Sequence, residues 1–406
     1  MLRPRARTFL SLLLGRGSPS HPAAAASPLP APPLRHFLEH LLGGAAALSH
    51  ATTSLPHAPA AAAAAGDPAS LTVHFLRHSC GLTEAEAAKA AARVRLRSTK
   101  NAHAILALLR GLGLPPASVA RLVAAYPGIL SSSTIAAKFD FYRRELGLSD
   151  AEIRRFLLAS PNRTITAGLE GRLRPNHRLL KELLGTDNNV LAAVKQSMEL
   201  IYDKLEVVLV PKLKALRDHG VTEDVLIKLL TTHPKALVHR SSRFDEGLTA
   251  MKDLGISPSS GTFPYAFGVF AKMYQSKWQR RLDNYLSLGW TQEQVRDAFI
   301  RHPYCMSVSD EKVRQLMRFF SEKLGWSPEY VSSSPTVLSF SYEKRILPRC
   351  VVVDILVSRG VIKKGIKLSH LTMPETKFMD LYVTRYKDKF PEVLEAYGDR
   401  TASSVK

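Results

Sequence analysis

The sequence predicts an all-α fold: a curved helical-repeat solenoid of about eight or nine units, each of about 35 residues. Three observations point to it. Glycines that follow apolar runs recur at Gly81, Gly113, Gly147, Gly185, Gly220, Gly255, Gly289, Gly325 and Gly360, at spacings of 32, 34, 38, 35, 35, 34, 36 and 35 residues. Two places after them stand Thr83, Pro115, Ser149, Asp187, Thr222, Ser257, Thr291, Ser327 and Ile362, of which seven are residue types that cap helix N-termini. Fourteen places after a glycine come Pro127, Pro161, Pro234, Pro303 and Pro374, which cannot occupy a helix interior and so end one.

Residues 1–68 are set apart from this fold. They open with Arg3, Arg5, Arg7, Arg16 and Arg35, and Glu39 is the sole acid before Asp67, the composition of an organelle transit peptide. Arginines this close to the initiator, mixed with Leu and Phe, favour a mitochondrial presequence over a chloroplast one. Pro-Ala tracts ending in APAAAAAAGDPAS read as a flexible spacer with too little apolar variety to pack. The repeats are expected to fill residues 69–395, followed by a C-terminal tail, 396–406.

Within a unit the elements follow in order. Thr83 with Glu86, Ser149 with Glu152 and Thr291 with Gln294 form capping boxes, and Pro116, Pro258 and Pro328 suit a first helical turn. Apolar residues six, nine and ten places after the glycine, such as Ile153, Phe156 and Leu157 or Leu226, Leu229 and Leu230, make one buried face. The proline then separates this first helix from a short turn. A second helix, such as SSRFDEGLTAMKDLG, runs to the next glycine, whose left-handed C-cap restarts the pattern. The units at Gly185 and Gly255 carry Glu199 and Val269 where proline is expected, and the Gly325 unit is shortened, with Pro335 ten places on.

Charge narrows the function. The chain holds 56 Lys+Arg against 35 Asp+Glu, a net charge of +21, and removing the five leader arginines leaves most of that surplus on the repeats. Such a surplus attracts polyanions, so nucleic acid or an anionic membrane surface is the expected partner. Cys80, Cys305 and Cys350 lie far apart with no CxxC spacing, which argues against a disulfide framework and a cysteine-based zinc module. No apolar run approaches the roughly 20 residues of a membrane span. The chain lacks GxxxxGKS/T, HExxH, GxGxxG and GxSxG, so neither an enzyme nor a cofactor is expected. His74, His78 and Cys80 resemble part of a metal site without a fourth ligand, and surface residues near a first helix explain them better.

The candidate binding residues are cations eight to sixteen places before each glycine. From Gly113 onward every unit has at least one: Lys100; Lys138; Arg172 and Arg174; Lys204 and Lys212; Arg240 and Arg243; Lys277, Arg280 and Arg281; Lys312 and Arg314; Arg345 and Arg349. Stacked units would place such side chains at regular intervals along a phosphate backbone. Tyr265, Phe267, Phe270, Tyr274 and Trp278 are interleaved with Lys272, Lys277, Arg280 and Arg281; bases could stack on these rings, but rings at helical spacing more often face a core.

The stretches LGLSDAEIRRFLLASPNRTI, HGVTEDVLIKLLTTHPKALV and KLGWSPEYVSSSPTVLSFSYEKRILPR resemble the mitochondrial transcription termination factor (mTERF) family, and the likeness covers about residues 70–390. The Ala/Pro-rich leader is similar to that of plant organellar members. The resemblance implies a curved all-helical solenoid whose basic face binds organellar DNA or RNA. It implies a role in transcription termination or regulation, or in intron splicing. Other organellar gene-expression proteins are secondary partners on this reading, and the protein is a monomer. The alternative from a different class is a protein-interaction scaffold, since helical solenoids also present surfaces to other proteins.

Overall fold

The computed structural model describes residues 68–239 and 243–398, which form two compact units, one on each side of the break. The expected leader and spacer, residues 1–68, lie outside the described residues except for Pro68. No strand occurs among the described residues, and both units are built from helical repeats.

The nine glycines on which the repeat was aligned all take positive φ, between 65° and 87°, and no other residue type does so among the described residues. This conformation costs a side-chain-bearing residue roughly 1–2 kcal/mol, which accounts for the glycine at each restart. The three capping boxes form as expected at Thr83, Ser149 and Thr291. Ser327 accepts from the Tyr330 N–H, with Pro328 in the first turn.

Three starts differ from expectation. In the Gly185 unit the cap is Thr186, one residue earlier than Asp187, and its hydroxyl accepts from the Asn189 N–H. In the Gly255 unit Ser257 and Pro258 belong to a turn, closed by a Ser260 N–H to Ser257 carbonyl bond of 3.0 Å. The helix begins only at Phe263, so Val269 lies inside Phe263–Lys272. Ile362 caps nothing; the next helix is Leu368–Thr372.

The turn after each proline is itself a short helix. Pro127–Ser131, Pro161–Thr166, Lys235–Val238, Pro303–Ser307 and Pro335–Ser339 are such segments. Glu199–Tyr202 takes the same place without a proline. Proline's fixed φ suits a helix start, so it both ends one helix and begins the next. Two long helices are entered through a wide π-type turn, Leu169–Leu173 and Tyr342–Ile346, where the Leu173 N–H reaches the Gly168 carbonyl at 3.0 Å and the Ile346 N–H reaches the Ser341 carbonyl at 3.1 Å.

The core is formed by the faces read from sequence. Ile153 and Leu157 are buried, as are Leu226, Leu229 and Leu230, while Phe156 is half-buried beneath Arg155. Phe263, Phe267, Phe270 and Trp278 are all buried, so most rings of the aromatic stretch are core. Gly247 makes this packing possible, because a Cβ there would lie 2.9 Å from the Phe267 ring. At the C-terminal end Val352, Val353, Phe378, Val393 and Tyr397 form one cluster. Packed structure therefore continues to Gly398, past the expected limit at residue 395.

Candidate nucleic-acid interface

The side chains expected to form a basic stripe fall into two classes. The first class lies between repeats. A short helix ends with carbonyls that have no intrahelical partner, and in each repeat a donor from the preceding long helix reaches them. The ammonium of Lys138 donates to the Ile165 carbonyl. That of Lys212 donates to Leu237 at 2.6 Å, and that of Lys312 to Ser339 at 2.8 Å. The Arg243 guanidinium reaches the Met273 carbonyl at 3.3 Å, and Arg345 bonds the carbonyls of Leu371, Thr372 and Met373 at 3.0, 3.3 and 2.6 Å. Cations are also favoured here by the negative end of the helix dipole.

Arg349 belongs to the same class and is 0% exposed. Its guanidinium donates to the carbonyls of His370 and Met373 at 3.0 and 2.7 Å, to Glu375 at 2.8 Å and to the Tyr397 hydroxyl at 3.3 Å. Arg281, 6% exposed, is paired with Asp310 at the start of the next repeat's long helix. Burial pulls the pKa of Lys138, Lys312 and Arg345 below the ordinary values of their types. Lys138, Arg281 and Arg349 are buried, and Lys212, Arg243, Lys312 and Arg345 are half-buried, each with its head group bonded within the fold, so their regular spacing follows the stacking of repeats.

The same position is also filled by donors without charge, which a search for cations passes over. Asn101 donates to the carbonyls of Leu130 and Ser132 at 3.0 and 3.3 Å, and Asn176 to those of Ile201 and Asp203 at 2.8 Å each. Tyr285 donates to Cys305 at 2.9 Å. The signal available in the sequence was a donor of any kind some 20–31 residues before a short-helix carbonyl.

The second class faces solvent. Lys277 is exposed, and Arg280 is 65% exposed while 3.1 Å from Asp310. Arg314 is exposed and bonded to the Asn284 side chain at 2.8 Å. Arg172 is half-buried in the π-type turn, and Arg174 pairs with Glu145 at 2.9 Å and with Glu170. Arg240 lies outside the described residues. Of the aromatic stretch, Tyr274 is 59% exposed beside Lys277 in sequence, the one ring there turned well into solvent.

Each unit is basic on its own. Residues 68–239 hold 25 Lys+Arg against 15 Asp+Glu, and residues 243–398 hold 23 against 17. Groups that could do covalent chemistry are withdrawn: burial pushes the thiols of Cys80 and Cys305 up to about 11 and about 12, and that of Cys350 upward as well. His74 and His78 lie ring against ring at 4.4 Å, while Cys80 is turned into the core. No helix among the described residues is long and apolar enough to cross a membrane.

Comparison with known proteins agrees with this architecture. Two relatives are plant proteins of Arabidopsis thaliana. One is "Transcription termination factor MTERF15, mitochondrial", 22% identical over 296 residues, which is 72% of this chain and 57% of that protein. The other is "Transcription termination factor MTERF8, chloroplastic", 23% identical over 243 residues, 59% of this chain and 48% of that protein. The chain thus spans about half the length of the curated relatives it matches. The mTERF family model matches residues 75–379, nearly all of the described repeats, and the chain belongs to the mTERF family.

Proposed function

We propose that this chain is a nucleic-acid-binding factor of organellar gene expression, acting in mitochondria on transcription termination or regulation, or on intron splicing. The observation that carries the reading is the cationic surplus of both units, in a family whose two named relatives are organellar transcription termination factors. Affinity would come from exposed Lys and Arg on phosphates, with sequence preference from a few base contacts or from duplex deformation. Of the stripe read from sequence, this reading assigns phosphate contacts to the exposed Lys277, Arg280 and Arg314 and to the half-buried Arg172, and to Arg174 after exchange of its carboxylate partners.

The leader, rich in arginine and poor in acid, favours the mitochondrion, and the chloroplastic relative keeps the plastid as the alternative compartment. The test is ultraviolet crosslinking of the tagged protein in isolated mitochondria, followed by sequencing of the recovered nucleic acid. Discrete enriched sites in mitochondrial DNA or RNA are expected. Recovery no higher than from an untagged control would overturn the reading in favour of a protein-interaction scaffold.

A further inference from the structure

From Pro68 to Phe139 the chain has only two acids, Glu84 and Glu86, against nine Lys and Arg. Both acids are engaged: Glu84 lies 3.8 Å from Arg77, and Glu86 closes the capping box on Thr83. The helices Pro68–His78, Lys100–Gly111 and Pro116–Ala125 contain no acid at all. Shorter acid-free stretches with four cations each occur at 254–282 and 355–374, but no other stretch of the described residues as long as 68–139 has so few acids.

Within it, Lys89-AAARVRLRST-Lys100 carries five cations in twelve residues. The segment between the helices Glu84–Ala91 and Lys100–Gly111 alternates: Val94 and Leu96 are buried, at 7% and 3% exposure, while Arg93, Arg95 and Arg97 are exposed. Burial with period two fits extended chain at 94–96, with Arg93 in the turn that closes the preceding helix, its N–H donating to the Ala90 carbonyl at 2.9 Å, and Arg97 at a bend. The segment is fixed in place by the Leu96 N–H, which donates to the buried Thr72 hydroxyl at 2.9 Å. Val94 and Leu96 explain why the segment packs. Arg93, Arg95 and Arg97 stand on its outer, exposed side, where like charges at alternate positions repel one another.

We propose that Arg93, Arg95 and Arg97, flanked by Lys89 and Lys100, form a phosphodiester-backbone grip in the first repeats. Alternate residues of fully extended chain are about 6.6 Å apart, which sets the upper limit of the backbone spacing here, and the long arginine side chains can span to phosphates that repeat at an axial rise of about 6.8 Å per two nucleotides of one strand. Guanidinium forks match phosphate oxygens in pairs. The ligand is a nucleic-acid backbone, bound without regard to base. The inference rests on the nucleic-acid reading above and adds to it a phosphate-binding site in the first repeats.

The test uses purified full-length protein, a 30-base-pair DNA duplex, a single-stranded RNA 30-mer and phosphatidylserine vesicles, each titrated across salt concentrations. Arg93→Gln/Arg95→Gln/Arg97→Gln is compared with the parent, with the charge-preserving triple lysine variant and with Lys363→Gln/Lys364→Gln as a distant charge control. Loss of three contacts should weaken nucleic-acid binding roughly 10- to 100-fold near 0.1 M salt and flatten the log-log slope by about three. The lysine variant should recover most of the binding, and the distant control should stay within about twofold of the parent. A parent that binds while the triple glutamine variant binds equally well, with an unchanged slope, overturns the grip and leaves the nucleic-acid reading standing. A parent that binds neither nucleic acid, or only vesicles, overturns both. Should the triple variant unfold, Arg93→Gln/Arg97→Gln is measured in its place, with a slope change of about two expected.

Discussion

The ammonium of Lys312 donates to the carbonyl oxygen of Ser339, 2.8 Å away and in the next repeat. The carbonyl belongs to the last turn of Pro335–Ser339, where no intrahelical donor remains for it. One bond therefore ties a long helix to the following short helix, and the equivalent bonds of Lys138, Lys212 and Arg345 do the same elsewhere.

Replacing Lys312 by Met keeps the apolar stem and removes the donor, leaving the Ser339 carbonyl with a lost partner. The expected cost is about 1–3 kcal/mol of stability, read by urea denaturation. Salt-dependent binding of nucleic acid should be unchanged at a temperature where both proteins are folded. A variant of parental stability and weakened binding would show that the ammonium serves a phosphate instead.

Gly113 joins two constraints. Its φ is +74°, and a Cβ there would lie 2.5 Å from the Arg154 guanidinium, which itself caps the Leu112 carbonyl at 2.9 Å. Gly113→Ala should lower stability by about 1–2 kcal/mol from the backbone alone, and by more where Arg154 must release its carbonyl. Gly128→Ala, at a position with no contact near the added Cβ and no positive φ, is the matched control and should change little. Equal melting temperatures for the two variants would contradict the left-handed cap.

The glycines, capping boxes and prolines were legible because each acts through its own few residues, and backbone sterics decide them locally. The shift from Asp187 to Thr186 is a one-residue choice between two capping types, settled by where the helix can start. The Gly255 unit was not legible, because Phe263, Phe267 and Phe270 are recruited into a core that only tertiary packing defines. The stripe was legible as spacing and illegible as role: lysine reads the same whether its ammonium meets a carbonyl or a phosphate. Asn101, Asn176 and Tyr285 share that structural position and carry no charge to mark it. The arginines at 93, 95 and 97 lie mostly outside the window that the glycine register defined.

Acid should act on the C-terminal cluster through Glu375. Burial opposes ionisation of this carboxyl, but hydrogen bonds from Tyr397 and Arg349, with the charges of Arg349 and Arg345, outweigh it and hold its pKa below the ordinary carboxylate value. A depressed folded pKa contributes stability that is present above about pH 4.3, the unfolded value. That contribution is lost as pH falls through the folded value. Glu375→Gln should cost about 1–3 kcal/mol at neutral pH. The deficit relative to the parent should shrink below pH 4, measured by thermal unfolding in matched buffers. A deficit independent of pH would mean that the carboxylate charge does not matter to Arg349.

The two classes of cation make a direct comparison possible around Asp310. Arg281 is buried against this carboxylate and Arg280 approaches it from solvent at 3.1 Å. Removing Arg281 leaves Asp310, itself largely covered, without its inner partner, so Arg281→Gln should lower stability by about 3 kcal/mol or more. An exposed pair contributes about 0–1 kcal/mol, so Lys277→Gln/Arg280→Gln should barely move the melting temperature. On the nucleic-acid reading the exposed pair acts at the ligand, and its loss should weaken binding several-fold and flatten the log-log salt slope by one to two. The expected result is thus a crossing: stability falls with the inner arginine and affinity with the outer pair. If Lys277→Gln/Arg280→Gln binds as the parent does, the stripe at this unit is a solvated surface, and phosphate contact is confined to other parts of the chain.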